Sequence, residues 1–287
     1  MKGHAALSII SVLSLLGQDS APLFKVDVRL VDVYATIYDH KGRYVDGLTR
    51  ERFSLSDNGT KQPLVSFENS TSSLSCAILL DTTGSMNAVL PMVKNAIMKF
   101  IDQLNPDDSV AVYTFNSTLQ VNQEFTRDKD AAKRAVLRTR ARGETALYDS
   151  ISQAASALVR QPGKKALVVF TDGQDNASVL NKNAAVKRAK KLGIPLYAIA
   201  EGDALKSKEL MKTLEDLSNA TGGTAYALAK AGKVGDVFAD IAQDLQHVYM
   251  MSYKAPPGNE GDWRRIGIVV SGIKDYRIRA KEGYISE

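Results

Sequence analysis

Cysteine and histidine are scarce in this chain, with one cysteine and three histidines in 287 residues. A single thiol cannot form an internal disulfide, and so few thiol and imidazole groups cannot build a Cys/His metal site. Cys76 opens an apolar run at residues 76–80 and is predicted to be a small buried thiol. Disulfide scaffolds and zinc fingers are therefore excluded.

Long hydrophobic runs are also missing. Met1 and Lys2 precede a mostly apolar run at residues 5–16, which is followed by small and polar residues. This run is shorter than the roughly 20 residues that cross a bilayer. It predicts a secretory signal peptide over residues 1–21, in preference to a buried strand or helix. The mature chain is expected to have no membrane span and to be secreted, either periplasmic or extracellular.

Aromatic residues are sparse at 7%, although the formal net charge is +5. The basic residues cluster in residues 127–142 and 182–191, where the spacing is helical and indicates solvated helix faces. Nucleic-acid binding requires aromatic residues interleaved with such clusters. No nucleic-acid partner is therefore expected.

The two ends of the chain have β patterns. Apolar and charged residues alternate from residue 24 onward, and a shift of one at Val31 predicts a bulge or bend. Turn signals follow at residues 39–42 and 57–59, and further strands are predicted at 263–270 and 275–281. Segments 22–73 and 249–287 are predicted to form one accessory β-sandwich-like domain around a compact insert.

The insert, residues 74–248, alternates apolar runs with helical patterns. The predicted strands are 76–80, 110–115, 119–125, 166–170, 196–200 and 224–228. The predicted helices are 89–104, 130–138, 147–160, 184–192, 208–221 and 234–246. This alternation predicts an α/β fold with a mostly parallel sheet covered by helices on both faces. Residues 166–170 are apolar throughout, as in a central parallel strand.

Oxygen-bearing side chains follow the ends of these strands. Asp81, Thr83 and Ser85 come directly after the first strand, Thr145 precedes a helix, and Asp172 follows the central strand. Ligands of open parallel sheets bind at the carboxyl ends of the strands. Two carboxylates and three hydroxyls suit a hard cation, with Mg²⁺ the first candidate and Mn²⁺ or Ca²⁺ as substitutes. Helix capping would explain one of these residues but not the set.

These residues carry a family resemblance, since residues 74–248 resemble a von Willebrand factor A domain. The family's metal-ion-dependent adhesion site reads Asp-x-Ser-x-Ser, then a distant Thr and a distant Asp. It is matched in order by Asp81, Thr83, Ser85, Thr145 and Asp172. The arrangement with flanking β segments, including residues 47–49 and 53, is similar to exported bacterial proteins that contain this domain.

Two positions depart from the family pattern. Thr83 stands where Ser is usual, and one hypothesis is that its added methyl group crowds the site. Glu144 stands where Gly is common before the Thr. Glu144 and Asp175 are candidates for positions around the ligands, where a further carboxylate would either tighten cation binding or repel an acidic partner.

The resemblance implies a Rossmann-like six-stranded sheet with one metal ion on its top edge. Ser85, Thr83 and, in the ligand-competent state, Thr145 would bind the ion directly, while Asp81 and Asp172 would act largely through waters. A Glu or Asp from a protein or matrix partner would complete the shell. The implied function is non-enzymatic, metal-dependent adhesion or protein interaction, and in some family members the last helix shifts with metal coordination.

Two other functions stay open. A carboxylate after a first strand is typical of haloacid-dehalogenase-like phosphoryl transfer, although Thr83 occupies the place of the second Asp that those enzymes need. A structural component of an exported assembly would need no metal. Metal-dependent binding and phosphatase turnover separate these alternatives.

Overall fold

A computed structural model describes residues 29–228 and 233–286. The predicted signal peptide lies outside these residues. The strands are β1 (Leu30–Tyr38), β2 (Phe53–Asp57), β3 (Thr60–Gln62), β4 (Leu64–Glu68), β5 (Leu74–Asp81), β6 (Ser109–Phe115), β7 (Leu119–Thr126), β8 (Lys164–Thr171), β9 (Leu196–Ala200), β10 (Thr224–Ala227), β11 (Tyr249–Lys254), β12 (Trp263–Val270), β13 (Arg277–Ala280) and β14 (Gly283–Ile285). The α-helices are α1 (Leu90–Gln103), α2 (Lys129–Arg138), α3 (Leu147–Val159), α4 (Lys182–Leu192), α5 (Lys208–Thr221) and α6 (Val234–His247).

The insert forms a six-stranded sheet with the order β10-β9-β8-β5-β6-β7. All neighbouring pairs are parallel except β6 with β7. The chain starts in the middle of the sheet at β5, adds β6 and β7 on one side, and then returns to add β8, β9 and β10 on the other. The predicted mostly parallel α/β sheet is confirmed.

Helices cover both faces of this sheet because its two middle strands, β5 and β8, carry apolar side chains on both faces. In β5, Cys76, Ile78 and Leu80 belong to one core, which also contains residues of α1, α2 and α6. Ala77 and Leu79 point to the opposite core, which contains residues of α3, α4 and α5. Successive side chains of a strand point to opposite faces, so one continuous apolar run supplies both cores.

The two ends of the chain combine into two antiparallel sheets, with the orders β13-β1-β11-β4 and β14-β12-β2-β3. Each sheet contains strands from both ends, since β1 pairs with β11 and β2 pairs with β12. Val33, Leu55, Tyr249 and Ile266 are buried in one shared core between the sheets. This confirms the predicted accessory β-sandwich-like domain built from N- and C-terminal segments.

The accessory sheet also packs against the insert. Tyr34 on β1 points away from the sandwich core and forms a buried cluster with Val248 and Met250. On the neighbouring strand β13, Arg279 forms an ion pair with Asp244 of α6. Apolar packing and a charged contact therefore connect the two parts of the molecule.

One local expectation was wrong. The strand β1 pairs with β11 in continuous register from Leu30 to Ala35, so no bulge occurs at Val31. On β12, the side chain of Trp263 is 45% exposed and lies under Lys190 of α4, whose Nζ is 5.0 Å from the ring centroid. Residues 24–28 of the predicted first strand lie outside the described residues.

Candidate functional site

Asp81 is the last residue of β5 and is fully buried. Its two carboxylate oxygens accept hydrogen bonds from the backbone N of Thr83, at 2.9 Å, and from the hydroxyl of Thr171, at 2.8 Å. Thr171 ends the neighbouring strand β8, on the side of β5 where the chain reverses its order through the sheet. Asp81 therefore lies at the topological switch point, where ligands of this fold class bind.

Three oxygen atoms from two loops come together beside Asp81. The hydroxyl oxygens of Thr83 and Ser85 lie 3.1 Å apart, and Ser85 donates a 3.0 Å hydrogen bond to Oδ1 of Asp172. Neighbouring ligands of an octahedral Mg²⁺ ion with bonds of 2.0–2.1 Å are about 3.0 Å apart. The distances from the Ser85 oxygen to the Thr83 and Asp172 oxygens therefore each fit a pair of adjacent positions around such an ion.

Thr145 is buried just before α3, and its hydroxyl faces the loop that carries Asp172. A Cβ atom built on Gly173 would lie 3.6 Å from the Thr145 hydroxyl oxygen. Asn176 holds the two loops together, because its side chain accepts from the backbone N of Thr145 at 2.8 Å and its own N donates to the Thr145 carbonyl at 2.9 Å. The structure therefore places Thr145 at the same edge of the sheet as Asp81, Thr83, Ser85 and Asp172.

The other acidic residues near the site have different positions. Asp175 accepts from the backbone N of Tyr148 and from the hydroxyl of Ser178, so its carboxylate holds the loop against the first turn of α3. Asp149 accepts from two backbone N atoms of the same loop. Glu144 is exposed, and its backbone N approaches the hydroxyl of Ser117 at 3.4 Å. Asp175 and Asp149 thus organise the loop that follows β8.

Burial makes Asp81 resist ionisation. Removal from water raises the pKa of its carboxyl to about 6, and the nearby Asp172 acts in the same direction. Hydrogen bonds from Thr83 and Thr171 oppose this shift but are too weak to cancel it. A cation at this position would favour the ionised carboxylate, because an opposite charge stabilises it.

The donor set is dominated by hydroxyl groups. Among the residues that the structure describes, no three His, Cys, Asp or Glu side chains cluster in a metal-binding arrangement. The candidate cation site is the predicted set of two carboxylates and three hydroxyls, whose oxygens are of the chemical type that Mg²⁺ prefers and include two pairs at a fitting distance.

Two residues of the site have roles that the sequence pattern did not predict. Thr171 fixes Asp81, and Asn176 joins the loops that carry Thr145 and Asp172. Thr171 could have been found from its place at the end of the central strand, directly before Asp172. Nothing in the pattern around Asn176 indicates its contact with Thr145, which is 31 residues away.

The doubly wound sheet with an oxygen-rich edge at its switch point defines a Rossmann-like α/β domain. The family model for the von Willebrand factor type A domain matches residues 76–240. The chain belongs to this family.

Curated relatives include a UPF0353 protein of Mycolicibacterium paratuberculosis (strain ATCC BAA-968 / K-10), 22% identical over 227 residues. The match covers 68% of this chain and 66% of the relative. A UPF0353 protein of Mycobacterium marinum (strain ATCC BAA-535 / M) is 21% identical over 224 residues, which are 67% of this chain and 65% of that protein. The chain thus matches slightly less than two thirds of the length of these relatives.

Solved structures share the fold at low sequence identity. A von Willebrand factor type A protein from Catenulispora acidiphila aligns with a TM-score of 0.54 and 15% identity, over 91% of this chain and 74% of that chain. The PilB minor pilin from Streptococcus sanguinis aligns with a TM-score of 0.52 and 14% identity, over 61% of each chain. At this level of identity the likeness shows the fold alone.

Proposed function

We propose that this chain is a metal-dependent interaction protein that binds one divalent cation, most suitably Mg²⁺, at the carboxyl edge of its central sheet. Asp81, Thr83, Ser85, Thr145 and Asp172 would hold the ion. The observation that carries the proposal is the set of three oxygens from Thr83, Ser85 and Asp172, spaced at 3.1 and 3.0 Å. Mn²⁺ and Ca²⁺ are the alternative ions.

The partner would offer a Glu or Asp carboxylate to this site. The resemblance implies that the neutral hydroxyls of Thr83, Ser85 and Thr145 touch the ion directly. The two carboxylates, Asp81 and Asp172, would act largely through waters and would leave the charge of the ion partly uncompensated in its direct shell. A carboxylate from outside would meet a partly uncompensated cation, and charge-assisted contacts of this kind are strong. Such a contact can dominate the affinity of an interface when it is shielded from water.

The proposal includes a location outside the cytoplasm and no catalytic activity. The apolar run at residues 5–16 supports export, and within the described residues no helix has the length and apolar character needed to cross a membrane. Both carboxylate oxygens of Asp81 already accept hydrogen bonds, and the side chain is buried, which disfavours a role as a nucleophile.

The test is a calorimetric titration of the full chain with Mg²⁺ and Mn²⁺, beside the Asp81→Asn and Asp172→Asn variants. The expected result is one ion bound per parent chain, with binding weakened at least about tenfold in both variants. Asp216→Asn is the matched control, because Asp216 is an exposed carboxylate whose partner in α5 is Lys212.

Two results would overturn the proposal. A folded parent chain that binds neither ion would favour the structural component of an exported assembly, which needs no metal. Turnover of a generic phosphate ester that Asp81→Asn abolishes would instead favour the phosphoryl-transfer alternative. Circular dichroism of each variant confirms that the fold is retained.

A further inference from the structure

Three arginines line a groove beside the candidate metal site. Arg138 is the last residue of α2, and Arg140 and Arg142 follow in a segment without helix or strand structure. The helical spacing of the basic run 127–142 predicted a solvated helix face. The structure shows that the helix ends at Arg138, so two of these arginines belong to an irregular segment that leads toward the site.

The groove has a volume of about 400 Å³. Its arginines lie at alternate positions in the chain, and Thr114 of β6 and Gln120 and Asn122 of β7 also line it. Thr114 donates to the side-chain oxygen of Asn122 at 2.8 Å, which leaves the Asn122 amide nitrogen available as a donor. The groove is therefore lined by three arginines together with neutral hydrogen-bonding side chains.

The three arginines are exposed and have no carboxylate partner within ion-pair distance among the described residues. The basic residues of α2 nearby are paired differently, since Lys133 binds Asp102 and Asp130. Lys94 donates to the carbonyls of Leu137 and Thr139 and so fixes the start of the segment. The groove thus concentrates positive charge that the protein itself does not neutralise.

The groove is connected directly to the candidate metal site. The backbone N of Arg142 donates to the carbonyl of Thr82 at 2.6 Å, and Thr82 lies between Asp81 and Thr83 in the first loop. The same segment reaches Thr145 three residues later. A ligand at the metal edge can therefore continue into the groove.

We propose that this arginine groove binds further acidic side chains of the partner, so that the partner is an extended, acidic protein segment with several carboxylates. The inference rests on the proposed function, because one carboxylate of the same segment reaches the metal site. Guanidinium groups bind carboxylates through paired hydrogen bonds, and electrostatic complementarity of this kind sets partner choice and association rate.

The groove fits a peptide better than a nucleic acid. β7 is the edge strand of the sheet and keeps one row of backbone donors and acceptors unpaired with another strand of the described structure. An extended peptide can use such an edge and the neighbouring amide side chains. None of the residues lining the groove is aromatic, whereas single-stranded nucleic acids are bound by stacking their bases on aromatic rings.

The test uses a short fluorescein-labelled peptide of alternating Glu and Ser, with Gln in place of Glu as the neutral peptide. Fluorescence anisotropy at low salt is recorded for the full chain and for the Arg138→Gln, Arg140→Gln, Arg142→Gln triple variant. The matched control removes three exposed positive charges from the helices on the opposite face of the sheet, through Lys187→Gln, Arg188→Gln and Lys208→Gln.

The expected result is that the arginine triple variant binds the acidic peptide about eightfold more weakly, because each of three exposed ion pairs contributes a factor of about two. The control triple variant should bind nearly as the parent does, and added salt should reduce the difference. Equal affinities of the two triple variants, or no binding of the peptide to the parent, would overturn the proposal. Tighter binding of a sulfated oligosaccharide at the same arginines would replace the peptide with a glycan partner.

Chelation separates this inference from the proposed function. If the proposed function fails, EDTA and Asp81→Asn leave peptide binding unchanged, while the arginine triple variant still weakens it. If the groove plays no part, EDTA weakens binding to the parent, and the two triple variants behave alike. The two failures therefore give different patterns in one set of titrations.

Discussion

The hydroxyl of Ser85 donates a 3.0 Å hydrogen bond to the carboxylate of Asp172, although 87 residues separate them in the chain. Ser85 follows the first strand of the central sheet, and Asp172 follows the neighbouring strand β8. The contact exists because parallel strands place their carboxyl ends at one edge of the sheet. Removal of either group would open the arrangement of oxygens on which cation binding depends.

Ser85→Ala is expected to weaken Mg²⁺ binding by at least about tenfold, because it removes one oxygen and the hydrogen bond that orients Asp172. Calorimetric titration of the folded variant measures this change. Thr83→Ser is the matched control, since it retains the hydroxyl that lies 3.1 Å from Ser85 and removes only a methyl group. Unchanged Mg²⁺ binding in Ser85→Ala would show that Ser85 is not a ligand.

Local patterns predicted the insert closely, but they could not predict contacts between distant segments. The observed limits of β9 and α5 agree with the predicted 196–200 and 208–221, because buried strands and amphipathic helices have different spacings of apolar residues. The pairing of β1 with β11 joins residues more than 200 positions apart. No local pattern specifies which of several alternating strands will become neighbours.

In the candidate site too, local patterns predicted the oxygen donors but not the contacts between distant loops. The five predicted oxygen donors could be found because each follows or precedes a recognisable element. The supporting contacts of Thr171 and Asn176 depend on how the loops fold back on each other. The exposed position of Arg140 and Arg142 depends on where α2 ends, and the helical spacing of the basic run extended past that point.

Asp244→Ala is expected to lower the free energy of unfolding by about 3–5 kcal/mol, because it leaves the largely buried Arg279 without its carboxylate. Asp244 also accepts hydrogen bonds from the hydroxyls of Tyr38 and Tyr197, and Arg279 Nε is already buried without a partner. Urea unfolding of the parent and the variant measures the loss.

Arg277→Ala is the matched control for this contact. Arg277 lies on the same strand as Arg279 but is exposed, and its guanidinium is 4.8 Å from the ring centroid of Tyr38. Its removal should lower the free energy of unfolding by only about 0.5–1 kcal/mol, as expected for an exposed cation–π contact. Similar losses for Asp244→Ala and Arg277→Ala would contradict a special role of the buried pair.

Lys281→Met is expected to stabilise the protein at pH 7, by up to about 3 kcal/mol. Lys281 is buried, and its Nζ lies against the C-terminal end of α4, at 2.6 Å from a Cβ atom built on Gly193. Removal from water lowers the pKa of Lys281 from 10.5 to about 8. Methionine has a similar length and carries no charge that must be desolvated.

The pH dependence follows from the direction of this shift. Between pH 8 and 10.5 the unfolded chain keeps the Lys281 proton and the folded chain has lost it, so parent stability gains a contribution as pH rises. The advantage of Lys281→Met should therefore be largest below pH 8 and should decline toward pH 10.5. Urea unfolding of both proteins between pH 7 and 10.5 measures this difference in the free energy of unfolding. A difference that does not vary with pH would exclude titration of Lys281 as its cause.

Gly223→Ala is expected to destabilise the fold by about 2 kcal/mol or more, since overpacking a closed site forces backbone shifts. Gly223 lies where the chain turns from α5 into β10, and a Cβ atom at this position would lie 2.0 Å from the carbonyl oxygen of Leu196.

Gly235→Ala is the matched comparison, because Gly235 is exposed in α6 and an added Cβ would meet no atom within 4 Å. That substitution should stabilise the protein by about 0.5 kcal/mol, as alanine favours the helix and restricts the unfolded chain. Thermal unfolding of the two variants should therefore shift in opposite directions, and a shift in the same direction would show that the close approach of Gly223 to Leu196 does not limit this turn.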